Sequence, residues 1–134
     1  AITCLHNDQA DVAGFCRQQQ RYGRDGVLYC AKRPDIHGNF AVLRANRRLA
    51  RGDGLAVGSK KAIKALLARD PFIHRLPSIA KAAERLPLPD SILFRLYRAV
   101  SSVHVLRGVR EGLEEVRRRE GEEAADRLGR PARV

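Results

Sequence analysis

The feature that most restricts this chain is an apolar stripe near its C-terminal end. Leu93, Leu96, Val100, Val103, Leu106, Val109, Leu113 and Val116 recur at three- and four-residue intervals. That period sets them on one side of an α-helix, close to a coiled-coil seam, and suits no strand. It predicts a helix from Ser91 to about Glu120, capped by Asp90, with Pro87 and Pro89 closing what precedes it. The stripe reads as the packed face of a helix in a bundle. The window Ile92 to Val109 could instead lie on an anionic membrane surface, with Arg95, Arg98 and Arg107 reaching outward. No stretch approaches about eighteen uncharged apolar residues, so no transmembrane helix is expected. Gly108 and Gly112 form a small-xxx-small pair, which fits a close helix crossing.

The segments before the stripe are shorter. Ile2, Cys4 and Leu5 make a strand-like run ahead of the polar turn His6-Asn7-Asp8. Asp8 or Asp11 can cap a helix with Val12, Phe15, Cys16, Gln19 and Tyr22 on its inner face. Arg17, Gln18, Arg21 and Asp25 take the other face. Gly23 and Gly26 are expected to interrupt this helix, Arg33-Pro34 to end it, and Asp35 to Asn39 to turn. Phe40 to Leu49 reads as a short basic helix. Ser59 is expected to cap Lys60 to Arg69, with Ile63, Leu66 and Leu67 inward, and Ser78 to cap Ile79 to Leu86. Glu114–Arg118, Glu115–Arg119 and Glu123–Arg127 have ion-pair spacing, and the tail from Gly129 is expected to fray. The fold expected is mainly α, with a short N-terminal strand.

Charge points to an anionic partner. The 134 residues carry a formal net charge of +11. Residues 110–134 hold seven Arg and seven acids, so the excess lies in residues 1–109. Such a field attracts phosphate in nucleic acid, anionic lipid or a nucleotide-linked substrate. The clusters Arg44, Arg47, Arg48, Arg51 and Lys60, Lys61, Lys64 support one reading, a basic helical nucleic-acid-binding or membrane-peripheral module without catalysis. Few aromatics and the lack of a recognised nucleic-acid motif speak against it. Cys4, Cys16 and Cys30 lack the close spacing of a zinc knuckle and read as small buried hydrophobes in a reducing compartment. With no Met and an opening inside an apparent strand, the chain reads as a piece of a longer protein; removal of an initiator Met is the alternative.

Two stretches carry a resemblance. Leu5-His6-Asn7-Asp8, followed by Gln18-Gln19-Gln20-Arg21-Tyr22-Gly23-Arg24, resembles the segment that closes the catalytic domain of bacterial family 2 glycosyltransferases. There a strand leads to a His-containing turn, then to a helix with a Gln-x-x-Arg-aromatic signature followed by Gly-Arg. Leu106 to Leu113 is similar to the closing helix of many such enzymes, whereas residues 40–90 match no part of them. The resemblance implies inverting transfer from a nucleotide-sugar donor to a cell-envelope glycan or small-molecule acceptor on a GT-A fold, and would make the short N-terminal strand the remnant of a truncated α/β domain. It implies a divalent metal, Mg or Mn, in the full-length enzyme, and a location in the cytoplasm or at the inner face of the membrane.

The resemblance also implies roles. Gln18, Arg21 and Tyr22 would line the acceptor and diphosphate side of the site, Arg24 would reach phosphate, and His6 would help bind metal or diphosphate. Tyr22 stands where processive members carry Trp, a departure that weighs against a processive polymer synthase and leaves single-sugar transfer open. The Asp-x-Asp metal motif and the catalytic base lie upstream in the family and are absent here, so no catalytic residue is expected in this chain. Residues 1–38 would end the catalytic domain, 39–128 form a helical C-terminal region, and 129–134 a tail. Taken without the family, the same residues read as a solvated Gln/Arg helix face with Tyr22 packed inward, a locally bonded turn His6 and a surface Arg24.

Overall fold

The computed structural model describes residues 11–39, 41–46 and 54–129. Their regular structure is helical, as the mainly α expectation requires: α1 (Val12–Lys32), a 3-10 turn (Pro34–Asn39), α2 (Ala41–Ala45), α3 (Leu55–Leu67), α4 (Asp70–Ile73), α5 (Leu76–Ala83), α6 (Asp90–Glu120) and α7 (Glu122–Gly129). The strand expected over Ile2 to Leu5 and the His6 turn lie outside the described residues.

The long stripe helix forms as expected and serves as the axis of the molecule. All eight stripe positions of α6 are buried or partly buried, so the stripe packs inside the bundle. Val109 and Val116 join Val27 and Cys30 of α1, Leu43 of α2, and Ala124, Ala125 and Leu128 of α7. Val103 and Leu106 meet Ala68 and Ile73, while Val100 meets Cys16 and Ala80. Gly121, at φ 95°, provides the left-handed residue that lets α7 fold back after α6. Among the described residues no helix is long and apolar enough to cross a membrane.

α1 is the main partner of α6. Asp11 caps it, accepting a hydrogen bond from the Gly14 N–H at 2.6 Å. Contrary to expectation, the helix runs unbroken through Gly23 and Gly26. The reason is packing. A Cβ on Gly23 would stand 2.3 Å from the Val105 carbonyl oxygen, and one on Gly108 only 1.8 Å from that of Gln20. Gly112 similarly makes room for Val27 and the Arg24 carbonyl. These glycines serve backbone approach within a continuous pair of helices.

Several boundaries depart from the sequence reading. α3 begins at Leu55, and Ser59 lies inside it, its Oγ donating back to the Leu55 carbonyl at 2.8 Å. Ile63 and Leu66 are exposed, while Leu67 is partly buried. α5 starts ahead of Ser78 because Pro77 occupies its first turn, where a missing N–H costs nothing. Asp90 is the first residue of α6 and makes no side-chain cap bond. Glu115 pairs with Arg119 as its spacing suggests, whereas Glu114 reaches Arg117 at 3.5 Å. Phe15 and Tyr22 lie outside the buried seam of α1, which comprises Cys16, Gly23, Gly26, Val27 and Cys30.

Candidate functional site

At 100° per residue, positions 16, 23, 27 and 30 of α1 share the side turned to α6, and positions 18, 21, 22, 25 and 29 the opposite side. The burial pattern agrees: Gln18, Arg21 and Tyr22 are all exposed, Tyr22 with 53% of its surface open. The motif residues thus stand together on one outward turn. Tyr22 is not packed inward, as a purely structural role for that face would have it. Tyr29, two turns along, continues the aromatic side at 52% exposure.

Between these faces, the same run of sequence ties α1 to α6. Ser101 Oγ donates to Gln19 Oε1 at 3.3 Å. Gln20 Nε2 donates to both oxygens of Glu111, at 2.8 and 2.9 Å. Glu111 also accepts from Arg107 Nε at 2.9 Å, and Arg107 reaches Asp70 of α4 at 2.8 Å. The three consecutive glutamines therefore divide their work: Gln19 and Gln20 hold the helix pair, and Gln18 faces solvent.

Arg24 is not on the outward face. Its Nε and Nη2 donate to Glu115 Oε2 at 2.9 and 2.6 Å, and Arg119 approaches the other carboxylate oxygen. The Arg24 hydrogen bond is the main reason that the Glu115 carboxyl is held below its ordinary range, with the neighbouring arginines adding to it. Arg24, Glu115, Arg118 and Arg119 line a shallow cleft of about 290 Å³.

His6, the residue assigned to metal or diphosphate, lies outside the described residues. Cys16 and Cys30 are buried free thiols whose pKa values burial raises. They stand about 21 Å apart along α1, too far to share an ion. No three metal-ligating side chains gather among the described residues, so these residues do not themselves fit a divalent metal.

A second region, apolar at its floor and ringed by cations, is a cavity of about 530 Å³ between the end of α2, α3 and α6. Sequence reading missed it as a site, although the run Lys60, Lys61, Lys64 signalled its charge. Comparison with known proteins adds no assignment: no family model, no curated protein and no solved structure matches this chain.

Proposed function

We propose that this chain is the C-terminal portion of a family 2 glycosyltransferase, in which α1 forms one wall of the donor site. The observation that supports this most is the grouping of Gln18, Arg21 and Tyr22 on one exposed turn, none of them consumed by packing. Glycosyl transfer needs the acceptor hydroxyl to attack the anomeric carbon while the carbon–oxygen bond to the diphosphate breaks. Charge accumulates on that leaving group. Arg21 can meet it with a charge-assisted hydrogen bond, and the Gln18 amide can donate beside it. The Tyr22 ring offers an apolar face to a sugar. The Gly23–Gly108 crossing and the Gln20–Glu111 bonds fix α1, so that these side chains start from a rigid backbone.

The base and the metal ligands belong to residues upstream of Ala1, and the isolated chain carries no turnover in this reading. The test begins with the coding sequence ahead of Ala1: an α/β domain with an Asp-x-Asp motif is expected, and its absence overturns the proposal. A filter-binding salt titration of the chain with DNA and RNA separates the alternative. Affinity that falls steeply with salt would favour a nucleic-acid module, and no binding at low salt removes that module from consideration.

A further inference from the structure

The second region lies on the other side of α6 from the α1 contact. By helical geometry, positions 106, 110, 113 and 117 face away from positions 108, 112 and 115. Leu106 and Leu113 give the cavity an apolar floor, and Lys64, Arg110 and Arg117 stand around it. Lys61 and Glu114 also line it, so cations exceed acids among the lining residues.

Among the described residues, no carboxylate pairs with Lys64 or Arg110. Lys64 Nζ donates to the neutral Asn46 Oδ1 at 2.6 Å, and burial alone shifts its pKa downward. Arg110 Nη1 donates to the Ala65 carbonyl at 3.1 Å, with burial and the neighbouring Arg69 and Arg107 all disfavouring its charge. Glu114 is turned to Arg117, which also reaches Glu122 at 3.0 Å. Lys64 is half-buried against a neutral acceptor and the exposed Arg110 lines the cavity with another, so an anion placed between them would gain a charge-assisted bond from each. The volume falls within the usual range for a small-molecule site.

We propose that the α2–α3–α6 cavity is a binding site for a phosphate monoester with an apolar body, its phosphate held between Lys64 and Arg110 and its body on Leu106 and Leu113. The site is independent of the donor-site reading and stands or falls separately. The test titrates the full 134-residue chain with 1-naphthyl phosphate, 1-naphthol and inorganic phosphate, following backbone amide shifts. The ester is expected to bind more tightly than either fragment, to perturb Ala62, Ala65 and Leu113, and to weaken as salt is added. Lys64→Met and Arg110→Gln should each lower its affinity roughly tenfold or more. Arg110→Gln alters an exposed side chain, so it reads out binding even if Lys64→Met disturbs folding. Equal binding of 1-naphthol, unchanged ester affinity in Arg110→Gln, or no binding at millimolar ester would overturn the proposal.

Discussion

Gly108 shows how much of this molecule depends on the absence of one methyl group. A Cβ there would press on the Gln20 carbonyl from 1.8 Å, and backbone cannot swing aside as a side chain can. Gly108→Ala should force α1 and α6 apart and cost about 1–3 kcal/mol, as overpacking does. Thermal unfolding should show a clear drop in Tm, while Gly129→Ala, at the end of α7 with nothing within 4 Å, should not lower it. Similar Tm values for the two variants would contradict the close crossing. The Gly108-xxx-Gly112 spacing was visible in the sequence. Gly23 was not legible in the same way, because a glycine that permits close approach and one that breaks a helix look alike until the partner backbone is in place. His104 also needed the structure to be seen. It is buried, and neither ring nitrogen has a hydrogen-bond partner among the described residues. Burial, and secondarily His74, lower its pKa from 6.5, so the folded form holds it neutral. The unfolded chain takes up a proton near that value, so this contribution is complete above pH 6.5 and declines as pH falls toward the depressed folded pKa. His104→Leu should therefore reduce the fall in Tm between about pH 7.5 and about pH 5.5; an equal fall in both proteins would show that His104 does not carry it.

Element starts divide into those that local chemistry announces and those that it does not. Asp11 was legible as one of two candidate caps, with Asp8, because a carboxylate just ahead of free N–H groups can accept from them, and Asp11 makes that bond. Asp11→Ala should cost about 1 kcal/mol, within the usual range for lost caps, and lower Tm by a few degrees. An unchanged Tm would mean that the first turn of α1 adds nothing. Ser59 and Ser78 misled because a serine hydroxyl also bonds back along a helix or sits harmlessly inside one. α3 begins at Leu55 behind Gly54 with no side-chain cap, and α5 has Pro77 in its first turn. α6 was the most legible element, since its period persists for many turns and the whole bundle is built on it.

At the scale of the whole molecule, α6 separates two surfaces of different legibility. The outward face of α1 comes from one continuous stretch, so the spacing of Gln18, Arg21 and Tyr22 disclosed it. The cavity opposite joins Asn46, Lys64 and Arg110 from three separate elements, and no local pattern brings those together. Its charge was readable, and Leu106 and Leu113 were visible as stripe positions but not as the floor of a cavity. The stripe that could have met a membrane surface packs within the bundle, with Leu106 and Leu113 also flooring the cavity. The apolar side chains left outside lie largely ahead of or at the start of α6, from Leu55 at 93% exposure to Phe94 at 63%. The proposed function requires that the α1 face meets the leaving diphosphate. Its most direct measurement is kcat/KM for transfer from the nucleotide-sugar donor, in protein that carries this chain with its upstream residues, for Arg21→Ala and, as control, Lys32→Ala. Loss of one charge-assisted bond in the transition state predicts a fall of roughly tenfold to a hundredfold for Arg21→Ala, with Lys32→Ala near wild type. An Arg21→Ala enzyme as active as the wild type would contradict it.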